Sequence, residues 1–270
     1  VGVQAMAGLN FRSLTISVAF IFTFLLFAAI ATLFLLPKPS DVLEALKSEE
    51  MLYSLKLSLI TASLSTVLVI LMGVPIGYAL SRFNFPGKSA VKSILDLPMA
   101  FPELVLGLAL LLLFGRTPVG EALSDLGVRV VFTKLGIVVA QFFTALPYAV
   151  RVIYTTFEGI SPRYELVARS LGYSEFETFR KVTLPMAKNG LLASTVISFA
   201  RSMGAFGAVL ILAGGSYMNT EILPVTLYLN ISYGNIGMAI TSGIVLVVVS
   251  FIAILLTERL EGGGSASVRG

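Results

Sequence analysis

Residues 163–185 read RYELVARSLGYSEFETFRKVTLP, and this stretch decides the fold. It is charged, helix-forming and bent at Gly172. On either side stand apolar runs, each long enough to cross the ~30 Å hydrocarbon core of a bilayer. A polar hairpin at one end of a membrane bundle suits a surface that docks something in the aqueous phase.

Composition agrees with a membrane setting. The 270 residues are 56% hydrophobic and 13% charged, with a mean hydropathy of +0.93. Soluble domains carry roughly 25% charged residues, so about half that share places the chain in the membrane class. Cysteine and histidine are both absent. Disulfides and thiolate metal sites are thereby excluded, and the commonest general base and metal ligand is missing. No catalytic residue, no metal site and no nucleic-acid partner is expected.

Apolar runs of spanning length predict six membrane helices, roughly at 13–36, 52–81, 97–114, 132–154, 190–213 and 236–257. With the N-terminus in the cytoplasm, twelve cations fall on the cytoplasmic side and six outside, and Arg201 lies within a span. That excess predicts a multi-pass plasma-membrane (inner-membrane) protein with both termini inside. The run from Leu14 to Leu36 exceeds the 7–15 apolar residues of a signal peptide, so it reads as a retained helix. Residues 1–260 are expected to form a single transmembrane domain with its hairpin at 161–185. Residues 261–270 read as a flexible tail.

Within the bundle, Gly73, Pro75 and Gly77 predict a kink in the second span. Pro98 and Pro102 open the third, whose uninterrupted part, Leu104 to Phe114, is too short to cross alone; Pro147 bends the fourth. In the fifth span Ser194, Ser198, Arg201 and Ser202 recur at helical spacing as one polar stripe. Two readings stand. Either the serines bond their own i−4 carbonyls while Ala200, Gly204, Gly207 and Ala208 let helices approach, or the stripe lines a polar pathway. A cation inside a membrane is costly without a partner or water, which favours the second reading for Arg201.

In the hairpin, Ser161 suits an N-cap and Pro162 a first helical position. Tyr164, Val167, Ala168 and Leu171 line one face of a short amphipathic helix. Gly172 ends it, and Ser174 caps a second helix running through Arg180. A helix lying on lipid is the alternative, although Glu165, Glu175 and Glu177 dilute any attraction to anionic headgroups.

Glu165, Ala168, Leu171-Gly172 and Leu184-Pro185 resemble the EAA loop of ABC-importer membrane permeases, with a degenerate alanine triplet. LDLPMAFPELVLGLALLLLFG (95–115), GIVVAQFFTALPYAVR (136–151) and SFARSMGAFGAV (198–209) are similar to segments of sulfate and molybdate/tungstate permeases. The resemblance implies an all-α, type I importer permease fold that carries a tetrahedral oxyanion. It implies that Tyr164, Glu165, Val167, Ala168, Leu171 and Gly172 form a coupling helix docking on an ATPase. It further implies two ATP-binding-cassette subunits holding ATP and Mg, with no cofactor on this chain. A solute-binding protein outside and a second permease copy, as a homodimer, complete the set.

The chain lacks G-x-x-x-x-G-K-[ST], so energy must come from a partner. Relatives of this kind usually carry glutamate four residues after the arginine of the fifth-span motif, where this sequence has Ala205. Glu103 lies roughly 9 Å into the third span and Arg201 roughly 16 Å into the fifth, at 1.5 Å per residue. Glu103 is therefore expected to replace the missing counter-charge of Arg201. The competing reading is a solvated Glu103 favoured by its helix N-terminus. Arg201 with Ser198 and Ser202 offers donors to an anion, or else Arg201 belongs to a structural salt bridge. The alternative function is a secondary transporter or channel, with Glu103, Gln141 and Arg201 as the coupling candidates.

Overall fold

The computed structural model describes the backbone of residues 2–265 and the side chains of residues 11–255. Its first half holds α1 (Gly2–Leu35), α2 (Pro39–Lys47), α3 (Glu49–Arg82), α4 (Lys88–Asp96), α5 (Glu103–Arg116), α6 (Pro118–Asp125) and α7 (Lys134–Gly159). The hairpin comes next, as α8 (Arg163–Ser170), α9 (Glu175–Thr178), a π-turn (Phe179–Thr183) and α10 (Leu184–Met186). Then come α11 (Lys188–Gly204), α12 (Gly207–Ala213), α13 (Leu223–Tyr233) and α14 (Ile236–Ser265). Helix α14 continues through the glycines at 262–264, and residues 266–270 of the expected tail lie outside the described residues.

Among the described residues, four helices are long and apolar enough to cross a membrane: Phe11–Leu35, Glu49–Arg82, Lys134–Gly159 and Ile236–Leu255. The remaining two expected spans are broken. Lys88–Met99 and Glu103–Arg116 meet at 114°, because Pro102 takes an extended conformation (φ −60°, ψ 141°) and biases the residue before it away from helix. Helix α5 has 14 residues, about 21 Å of helix, so it does not cross a ~30 Å core alone. Expected as one helix, the fifth span bends by 59° between α11 and α12. Ala205 is extended there (φ −63°, ψ 116°), between two glycines that form helix poorly.

Helices α3, α7 and α11 pack together as the centre of the bundle, α12 lies against α5, and α13 against α14. Hydrophobic collapse does not hold helices together in lipid, so close approach and internal hydrogen bonds must. Buried hydroxyls along α3 supply the bonds. Ser65 Oγ accepts from Ser202 Oγ of α11 at 3.2 Å, whereas Thr61 and Thr66 satisfy themselves within α3 by donating to their own i−4 carbonyls at 2.9 and 2.7 Å. Ser58 Oγ accepts from the backbone N–H of Leu223 at 2.8 Å, satisfying an orphan donor at the start of α13. Glycine supplies the closeness: a Cβ on Gly107 would stand 2.8 Å from Ala208 Cα and 3.0 Å from its carbonyl oxygen.

At the end of α3 opposite the hairpin, Asn230 Nδ2 donates to Glu50 at 2.7 Å, and Glu221 is buried at 2% exposure. Burial first, and then the Glu50 carboxylate, push Glu221 above its ordinary carboxylate value. The native state thus holds this proton at pH values where the unfolded chain has released it. Stability therefore falls as pH rises from the ordinary value through the raised one.

Two outcomes are expected in thermal unfolding of the solubilised chain. Gly107→Ala must displace backbone and should cost about 1–3 kcal/mol, whereas Gly204→Ala, with no atom within 4 Å of its added Cβ, should leave the midpoint unchanged or slightly higher. Glu221→Gln should flatten the decline of the midpoint as pH rises above the ordinary carboxylate value; an unchanged slope would remove Glu221 as its source.

Candidate functional site

The hairpin projects from the ends of α7 and α11. Helix α8 starts one residue later than the serine signal suggests: Pro162 is its cap residue, and Arg163 N–H reaches Ser161 Oγ at 3.4 Å. Gly172 has φ +94°. Tyr173 N–H donates to Ala168 O at 3.2 Å and Gly172 N–H to Arg169 O at 3.0 Å, the paired bonds of a Schellman motif that glycine permits at no steric cost. A capping box then opens α9. Glu177 N–H donates to Ser174 Oγ at 3.2 Å, and Ser174 N–H to Glu177 Oε2 at 3.1 Å. The Ser174 backbone N–H foremost, then Lys181 and the Ser174 hydroxyl, bring the pKa of the Glu177 carboxyl down to about 2. The cap is therefore complete above the ordinary carboxylate range and is lost only as pH falls through about 2.

Two opposite surfaces share the six expected docking residues. Tyr164, Val167 and Leu171 are exposed, Leu171 at 77%, and Gly172 turns the chain beside them. Ala168, at 5% exposure, points into the bundle. Glu165 is turned inward as well: its Oε1 accepts from Arg82 Nε and from Thr183 Oγ1, both at 2.9 Å. The apolar outer surface also includes Leu166 and Phe176, the latter 70% exposed. Phe176 escapes sequence reading because it stands between Glu175 and Glu177, in a helix read from its charges and cap alone.

Inside the bundle the expected polar stripe is split. Ser194, Ser198 and Ser202 are buried between α11 and its neighbours. Ser198 Oγ donates to Ser194 O at 2.7 Å, Ser202 Oγ donates to Ser65 Oγ at 3.2 Å, and Gln141 Nε2 donates to Ser202 O at 3.0 Å. The last two of these contacts join α11 to α3 and α7. Arg201 faces the other way and is exposed, its guanidinium carbon 3.9 Å from the centroid of the Tyr148 ring on α7. Arg151, three residues along α7 from Tyr148, is exposed too.

The expected Glu103–Arg201 pair does not form. No salt bridge joins them among the described residues. Glu103 Oε2 instead accepts from the backbone N–H groups of Phe206 and Gly207 at 3.1 and 3.2 Å. Those donors are freed by the break at Ala205 and are the open N-terminus of α12, where a carboxylate is favoured. The bend, invisible as such in the sequence, is what redirects Glu103.

Residues 70–263 match the model of the binding-protein-dependent transport system inner membrane component family. The chain belongs to this family. It is 34% identical, over 96% of its length and 94% of the other's, to a probable molybdenum ABC transporter permease protein of Haloferax volcanii. To the sulfate transport system permease protein CysT of Escherichia coli it is 33% identical, over 70% of this chain and 68% of that one. The fold matches a chain in the crystal structure of a bacterial alginate ABC transporter, with a TM-score of 0.75 over 92% of both chains at 17% identity.

As a family member the chain is the membrane component of an ABC importer. In this chain Ala205 is fully buried, and the Glu103 carboxylate binds the amides immediately after it. A double-mutant cycle on Glu103→Gln and Arg201→Gln in unfolding should give a coupling within about 0.5 kcal/mol of zero. Glu103→Ala alone should cost about 1–2 kcal/mol, the usual loss for a helix cap. Coupling above about 1 kcal/mol would restore the direct pair.

Proposed function

We propose that this chain forms, as a homodimer, the translocation pathway for a tetrahedral oxyanion, with molybdate or tungstate first and sulfate next. Arg201 carries the proposal. It lies about 20 Å along α11 from Lys188 at 1.5 Å per residue and is stacked on Tyr148 yet exposed. An exposed arginine at that depth cannot face hydrocarbon cheaply. A water-lined cavity closed by a second copy answers the cost, and Arg151 extends the cationic face toward the hairpin. Stacking leaves the edge of the guanidinium with free N–H donors suited to planar or tetrahedral oxyanions. The relatives named for molybdenum and sulfate transport support the substrate class.

Two ATP-binding-cassette subunits, carrying ATP and Mg, dock on the cytoplasmic hairpin through Tyr164, Leu166, Val167, Leu171 and Phe176. A solute-binding protein delivers the anion at the opposite end. ATP binding draws the two nucleotide subunits together, and the hairpins carry that movement into a rocking of the two bundles. Both termini are cytoplasmic in this arrangement. Coupling by intramembrane acids, as a secondary transporter requires, is disfavoured because backbone amides occupy the Glu103 carboxylate.

The test is uptake into proteoliposomes holding the chain with its nucleotide-binding and solute-binding proteins. Labelled molybdate uptake should require ATP and both partners, and tungstate should compete better than sulfate. Arg201→Ala should lower uptake about tenfold or more while leaving the unstimulated ATPase in place, as expected of a lost charge-assisted contact. Uptake that persists without ATP and partners would favour the secondary-transporter reading.

A further inference from the structure

One ion pair sits where four segments converge. Arg82 is the last residue of α3. Its Nε donates to Glu165 Oε1 on α8 at 2.9 Å, and its Nη2 donates to the Ile160 carbonyl, at the end of α7, at 2.8 Å. Thr183, closing the π-turn that leads toward α11, donates its hydroxyl to the same Glu165 oxygen. Both charged side chains are largely buried, at 9% and 13% exposure. The pair thus ties α3, α7 and the lead into α11 to the hairpin through one carboxylate. The two other salt bridges among the described residues, Arg169–Glu175 and Lys181–Glu177, are solvent-exposed and lie within the hairpin.

We infer that Arg82 and Glu165 are positioning residues forming the joint that transmits hairpin movement into the three central helices. Glu165 acts inside the permease, on the face away from the docking partner. The fork of arginine is required: one nitrogen holds the carboxylate while another holds the Ile160 carbonyl, which a lysine ammonium on a flexible stem does not reproduce. Aromatic packing reinforces the joint, with Tyr78 edge-on to Phe83, Phe157 and Phe179 at 4.8 to 5.7 Å between centroids. The joint would let the hairpin move the bundle as a rigid lever and not swing alone. Its transport consequence rests on the function proposed above.

The chemistry of a buried pair supplies a specific signature. Removing one partner leaves an uncompensated charge, whereas replacing both removes the charge altogether and is far less disruptive. Amide hydrogen exchange across residues 163–178 of the full chain in proteoliposomes reads the joint without any partner. Arg82→Gln, Arg82→Lys and Glu165→Gln should each speed exchange about tenfold or more, and the double variant Arg82→Gln/Glu165→Gln should recover most of the protection. In the complete transporter, each single variant should still co-purify with the nucleotide-binding subunits and hydrolyse ATP, while anion uptake per ATP falls about tenfold. Leu171→Asp, on the outer surface, should instead lose the subunits. Exchange unchanged in the singles would overturn the joint, as would loss of the subunits by Glu165→Gln to the extent seen with Leu171→Asp. A wild-type chain that captures no nucleotide-binding subunit would refute the proposed function alone, because the exchange measurement still decides the joint.

Discussion

A backbone N–H or C=O inside a bilayer has no water to turn to, so the protein must satisfy it internally. This constraint is visible at three irregular points of the bundle. Where α11 breaks from α12, the freed amides of Phe206 and Gly207 take the Glu103 carboxylate. Where α13 begins, the buried amide of Leu223 donates to the hydroxyl of Ser58. Where α7 ends, the Ile160 carbonyl takes the guanidinium of Arg82. Each repair comes from a helix other than the one it mends, α5 in the first case and α3 in the other two. The breaks in the spans are therefore also the ties between them, and a chain with few charges spends several of those it has on its own backbone.

Much of this architecture can be read from the sequence because lipid imposes a length and a polarity on each span. The four unbroken spans are legible as long apolar runs, and the hairpin as the charges, Gly172 and Ser174 between them. The breaks could not be read with the same ease. Runs 97–114 and 190–213 are apolar enough to span, and what bends them is the extended backbone at Pro102 and Ala205. Periodicity also misplaces polar groups whose orientation differs by one helical step. Arg201 and Ser202 are adjacent in sequence and lie about 100° apart around α11, one toward Tyr148 and the other toward Ser65.

The candidate site shows the same limit. A helical repeat of apolar residues identifies Tyr164, Val167 and Leu171 correctly as surface, but it assigns Ala168 to that surface too. A small residue there serves the close seating of α8 on the bundle. Glu165 has no visible partner in the sequence because Arg82 stands 83 positions earlier, and no local rule reaches that far. Long-range pairs are where a single sequence is silent, and in this chain they hold the parts that the proposed mechanism must move.

The π-turn at Phe179–Thr183 has a consequence for the membrane-embedded end of the molecule. A π-turn accommodates one residue more than an α-turn over the same stretch. Were the same residues, with none removed, to take regular α geometry, the surplus residue would rotate everything downstream by about 100°. The azimuth of α11, and with it the direction in which Arg201 points, is thus fixed by a single extra residue in the hairpin some twenty positions earlier. A change at the cytoplasmic surface that converted this turn to α geometry at constant length would retune the polar face deep in the bilayer without altering any residue that lines it.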